Sequence, residues 1–168
     1  MRCAPFTAAL LASFTMGCGA ALAQVPPAVD VSFLNAARFS DAGETPRDVE
    51  RNLAALTQHL QHLGTRWLAP GQHLSVEITE LDLAGRVLPS PRLPRLVRVL
   101  NGGADWPRIG VRYVLATPAG EIARGEESLD DKNYLVNPLA SSADQPLGYE
   151  RRLLTRWFRD RFDAAVSH

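Results

Sequence analysis

Cysteine is nearly absent from this chain. Of 168 residues only Cys3 and Cys18 carry a thiol, and both fall within the first 24. The remainder therefore has no disulfide, no thiolate nucleophile and no zinc–cysteine site to offer. An excess of charge is missing as well. The 18 basic and 18 acidic side chains balance, which leaves no net field to gather nucleic acid and excludes a dedicated nucleic-acid binder. Beyond the amino terminus no apolar run approaches the roughly 18 consecutive residues that a membrane-crossing helix needs. Also lacking are a G-x-S-x-G nucleophile elbow, a Gly-rich loop followed by Lys and Ser or Thr, the spacings of zinc ligands, and the Gly and closing Glu of an EF-hand. No metal and no cofactor is expected.

What is present begins with an address. The opening "MRCAPFTAALLASFTMGCGAALAQ" has Arg2, an apolar stretch from Phe6 to Met16, and Ala21-Leu22-Ala23 at its end. That order reads as a secretory signal over residues 1–23, cleaved after Ala23, with a periplasmic mature chain starting at Gln24. A competing reading cleaves before Cys18 and anchors the chain by a lipid on that thiol, although Thr15-Met16-Gly17 lacks the leading Leu of a lipobox. The mature part, about 145 residues, is long enough for one domain, 24–168, held by its apolar core alone, with ordered residues expected from about 29 to 166.

Along that domain, Val29, Val31 and Phe33 alternate as a half-buried strand does. Thr45, Pro46 and Asp48 form a helix start, and Val49, Leu53, Leu56, Leu60, Leu63 and Trp67 follow as one apolar stripe that must lie on a sheet. In "LSVEITELDLAG" the inward parity runs through Leu74, Val76 and Ile78, then shifts to Leu81 and Leu83, as a β-bulge would produce. Residues 86–94 carry three prolines and read as an extended connector. A short strand follows, with Leu96 or Val97 and Val99 inward. Ile109, Val111, Tyr113 and Leu115 then alternate, "TPAG" turns, and a return strand carries Ile122. A long loop occupies 130–148. A final helix from about Tyr149 to Val166 buries Leu154, Trp157, Phe158, Phe162 and Ala165, with Leu153 at the margin. The order β-α-β-β-β-β-α predicts a single α+β domain, a mostly antiparallel sheet covered by two helices.

Candidates for chemistry are few. Glu80 and Asp82 sit on the inward parity unless the bulge returns them to solvent, and they are the nearest catalytic candidates for a cofactor-free hydrolase. Glu126 and Glu127, adjacent on a strand, point to opposite faces. His59 and His62 fall off the apolar stripe toward solvent, and His73 and His168 lie far from them in sequence. Tyr134 and Leu135 in the long loop, with Arg152, Arg156 and Arg159 on the last helix, form a candidate binding surface; core anchoring is the plainer reading of Tyr134, and a solvated helix face that of the arginines.

The stretches "VSFLNAARFSD", "LSVEITELDLAGRV", "VRVLNGGADWPRIGVRYVL", "GEESLDDKNYL" and "YERRLLTRWFRDRF" resemble, in that order, a family of small exported bacterial proteins known as domain of unknown function number 3016. The resemblance covers roughly residues 31–162. It implies a secreted or periplasmic single domain and carries no reaction and no ligand. Its D-L-A-G element falls on Asp82 to Gly85, where Gly85 is expected to turn the chain and Asp82 to accept main-chain N–H bonds from the following loop. Taken together, the residues point to a non-enzymatic binding or assembly module of the cell envelope, with an envelope protein, a lipid head group or a glycan as partner; the alternative is the Asp/Glu hydrolase.

Overall fold

A computed structural model describes residues 28–90, 94, 96–136 and 146–163. Strand β1 (Val29–Phe33) leads through a short 3-10 turn, Ala36–Arg38, into helix α1 (Pro46–Trp67). Then come β2 (His73–Asp82), β3 (Arg86–Pro89), β4 (Leu96–Val99), β5 (Arg108–Thr117), β6 (Gly120–Asp130) and helix α2 (Gly148–Phe162). The main sheet has the order β1-β2-β5-β6, with β1 parallel to β2 and the other pairings antiparallel. Parallel neighbours need a crossover, and α1 supplies it. The class is the expected one: a mostly antiparallel sheet with two helices.

Helix α1 forms for the reasons its sequence states. Thr45 is extended and its Oγ1 accepts the Asp48 N–H at 3.2 Å, with Pro46 in the first turn. Leu56, Leu60 and Leu63 are buried, while Val49, Leu53 and Trp67 pack against the same cluster. One face of the sheet meets them through Leu74, Val76 and Ile78 of β2 and through Ile109, Val111, Tyr113 and Leu115 of β5. The opposite face is polar: Arg112 bridges Glu77 and Glu126 across three strands.

The phase shift in β2 is present. Pairing with β5 jumps between Ile78 and Glu80, leaving Thr79 unmatched, and Leu81 becomes fully buried. The β5–β6 turn is the two-residue loop Pro118-Ala119, with Gly120 at φ 130°. Ile122 is about half exposed, beside a second register shift at Leu115/Ala116.

Two expectations need correction, and the choice left open in β4 between Leu96 and Val97 is decided. Residues 86–89 are a strand and not a connector, because proline is barred only from a central strand. Here β3 pairs β4 in a separate two-stranded ribbon, with Pro89 at its end. In β4 Leu96 points outward while Val97 and Val99 are half-buried. Leu153, placed at the margin of α2, is buried at its centre, and α2 ends at Phe162; Ala165 lies outside the described residues.

At Gly64 α1 comes close against the sheet. A Cβ there would overlap the Cγ2 methyl of Val29, a fully buried β-branched residue with little freedom to move. Alanine favours a helix by about 1 kcal/mol over glycine, yet overpacking costs about 1–3 kcal/mol. Gly64→Ala should therefore lower the urea midpoint; a rise would mean β1 can shift away from α1.

Candidate functional site

The D-L-A-G turn at the end of β2 organises the charged interior. Gly85 has φ 86°, and a Cβ on it would collide with Val99 O and Leu100, so the turn lies directly against β4. A second segment reaches the same place: Asp41 N–H bonds to Leu81 O and Leu83 N–H to Asp41 O. These bonds carry the Asp41 side chain to Arg98 of β4. Arg98 donates from Nη1 to Asp41 Oδ2 at 2.8 Å and from Nη2 to Oδ1 at 3.1 Å, a bidentate pair with both side chains about three-quarters covered. The same Nη1 also donates to Ala84 O at 3.2 Å.

Helix α2 adds the third charge. Glu150 stands in its first turn and is 3% exposed, and its Oε1 accepts the Ala84 N–H at 2.7 Å. Burial pushes this carboxyl above the ordinary range. The Ala84 and Glu150 main-chain N–H groups and Arg98 pull against that, while Asp41 adds to it. Between the starts of α1 and α2 a cleft of about 450 Å³ opens over this cluster. Leu83, Leu100, Leu147 and Tyr149 give it apolar walls, and Asp48, Arg51, Arg98 and Glu150 give it polar ones. Asp48 is engaged with Thr45 and Arg51, and the Thr45 hydroxyl is the main influence holding its carboxyl low.

Tyr134 and Asp105 brace the far side of the turn. The Tyr134 hydroxyl donates to Asp105 Oδ1 at 3.0 Å and accepts the Gly102 N–H, while Asn101 N–H bonds to Asp105 Oδ2 and Gly85 N–H to Asp105 O. Burial alone would raise the Asp105 carboxyl; the Asn101 N–H and the Tyr134 hydroxyl outweigh it and hold it low. Tyr134 also meets the Tyr149 ring edge-on at 5.0 Å.

The expected site residues are thus dispersed. Glu80 accepts the Ser40 N–H at 2.8 Å, and Asp82 is held by the Arg108 guanidinium and not by main-chain N–H groups of the following loop. Neither lies with Glu150 on the cleft wall. Tyr134, a contact-surface candidate whose plainer reading is core anchoring, is fully buried, with its hydroxyl on Asp105. Leu135 beside it is partly exposed. Arg152 is drawn inward to Asp131 Oδ2 and Tyr134 O, with 19% of its side chain exposed, while Arg156 and Arg159 stay on the surface. Glu126 and Glu127 do point apart, to Arg112 and Arg161.

His59 is not a solvent residue: α2 crosses the flank of α1 and places Thr155 Oγ1 and Arg151 O within 3.0 Å of its Nε2. Burial lowers its pKa to about 4. Among the described residues, no three of His, Cys, Asp and Glu gather as a metal site would require, and no helix is long and apolar enough to cross a membrane.

Sequence reasoning did not single out Glu150. The one local signal was its place in the first turn after Gly148, where a carboxyl meets free N–H groups. The Asp41–Arg98 pair had no such signal.

The fold and cleft together define a small two-layer α+β domain whose buried acid sits at the meeting of two helix starts and a turn. The chain belongs to the family described as protein of unknown function (DUF3016), whose model matches residues 27–160. No curated protein and no solved structure matches it.

Proposed function

We propose that this chain is exported to the periplasm and acts there as a non-enzymatic binding module of the cell envelope, with the Glu150 cleft as its ligand seat. The observation that supports this reading is the cleft itself. It is a recess with apolar walls and a few convergent polar groups, as binding sites commonly are, and three of its charged groups are already held in place: Arg98 by Asp41, Arg51 by Asp48, Glu150 by the Ala84 N–H. Such pairing fixes the shape of a recognition surface. The ligand belongs among envelope proteins, lipid head groups and glycans.

Thermal-shift titration with soluble peptidoglycan fragments, glycerol phosphate and short peptides tests the seat. One class should raise the melting temperature saturably, and Leu100→Glu, on the cleft wall, should abolish the rise. No response to any class would remove the cleft from consideration. Export is tested by amino-terminal sequencing of protein from the periplasmic fraction. Gln24 is expected as the first residue, and a membrane-bound form beginning at lipidated Cys18 would replace that reading with the lipoprotein one.

A second reading keeps the hydrolase, now with Glu150 in place of Glu80 and Asp82, since a carboxyl raised by burial beside a cleft is suited to donate a proton. Envelope-substrate turnover that disappears in Glu150→Gln while ligand binding persists would establish it.

A further inference from the structure

We propose that the groove between β6 and α2 receives an extended segment of a partner polypeptide, which joins the sheet as a fifth strand beside β6. The partner segment alternates apolar and polar side chains, with an acidic one opposite Arg156.

Among the described residues, strand β6 is an edge of the sheet, paired on one side only, by β5. Its outer row of main-chain N–H and C=O groups is a template for another strand, and proteins ordinarily blunt such an edge with proline or a covering element. No proline interrupts Gly120–Asp130. Instead its last part flanks a recess of about 450 Å³, lined by four successive residues, Glu127 to Asp130. Four successive strand residues alternate between the two faces of the sheet, so a recess touching all of them runs along the edge. Its other wall is α2, through Leu153, Arg156, Trp157, Asp160 and Arg161, the last of which is paired with Glu127 of the strand. An edge strand facing a helix across a groove is the geometry in which added strands are recognised: main chain supplies affinity and alternate side chains supply selectivity.

Two further observations point to the occupant. Trp157 is 5% exposed and lines this groove, and its indole N–H is buried with no acceptor among the described residues. A main-chain carbonyl of an added strand is an acceptor of the right kind. Arg156, about half exposed, donates to Asp130 O at the end of the strand and lies 3.9 Å from Asp131, so it offers an accessible cation at one end of the groove. An alternating row of donors and acceptors suits a polypeptide rather than a lipid, and the chain's zero net charge gives a polyanion no field to follow. This surface is separate from the Glu150 cleft, and the two stand or fall independently.

The test uses the purified full chain and labelled synthetic peptides that alternate Val with Glu or with Lys, followed by fluorescence anisotropy. The Glu peptides should bind saturably and more tightly than the Lys peptides. N-methylation of one alternate set of peptide amides should weaken binding at least about tenfold, and methylation of the other set should not, because only one edge of the peptide pairs with β6. Trp157→Phe, which keeps the apolar bulk, should weaken binding about tenfold. Arg156→Glu, at an exposed position that leaves the core untouched, should reverse the preference to Lys and carries the test if Trp157→Phe fails to fold. Equal sensitivity to both methylation sets, no binding by any peptide, or a β6-mediated dimer already filling the edge would overturn the proposal.

Discussion

Changing Tyr134 to serine is expected to cost the fold about 3–5 kcal/mol, the usual range for emptying a large aromatic site. Tyr134 has no exposed surface, and its ring packs on Tyr149. Its hydroxyl is the donor that Asp105 Oδ1 relies on, and Asp105 in turn receives the Asn101 and Gly85 N–H groups. Serine is too short to reach any of them. Tyr134→Phe isolates the hydrogen bond: shape is kept, one buried carboxylate oxygen loses its donor, and about 1–3 kcal/mol should disappear. Urea unfolding of both variants checks the ordering, and a serine variant as stable as the parent would show that the 131–136 segment does not brace the cleft. A partner lost on Tyr134→Ser would therefore report unfolding; Leu135 and Arg156, which reach the surface, are the residues with which to map contacts.

Glu150 is the second position where a large effect is expected, and its sign depends on pH. Burial raises the folded carboxyl above its ordinary 4.5. The native state thus holds this proton more tightly than the unfolded chain. The resulting stabilisation is fully present below about pH 4.5 and is lost as pH rises through the folded value. Glu150→Gln keeps an oxygen for the Ala84 N–H and removes the buried charge, so at pH 8 it should be more stable than the parent by on the order of 1 kcal/mol. Near pH 4 the advantage should vanish. Glu150→Ala should instead lose about 1–3 kcal/mol at either pH, since the buried Ala84 N–H is left without an acceptor. His59 acts in the opposite direction. Its pKa falls from 6.5 to about 4, so its contribution is present above pH 6.5 and lost as pH falls through 4. Melting curves from pH 4 to 8 should show Glu150→Gln flattening the decline at high pH while the acid limb of His59 remains. A Gln variant weaker than the parent at pH 8 would mean that the ionised carboxylate, favoured by the positive charge of Arg98, is what the fold requires.

The elements of this protein were legible because local spacing decides them. The Thr45-Pro46-Asp48 start, the stripe from Val49 to Trp67, the alternation through β5 and the parity shift at Thr79 each follow from side chains a few residues apart, and the helical or extended backbone converts those steps directly into faces. The family likewise rests on motifs read in order along the chain. Tertiary structure alone decided which charges are interior. Asp41 and Arg98 stand 57 residues apart, and Ala84 and Glu150 stand 66 apart; no periodicity relates such positions, and only the close approach made at Gly85 brings them into reach. The same holds for His59, whose solvent face by helical geometry is covered by a second helix, and for β1, whose parallel place at the sheet edge depends on how α1 crosses. Periodicity reports how a segment divides between inside and outside. Which partner waits inside depends on contacts that arise only when distant segments pack, and for this protein those contacts make the cleft.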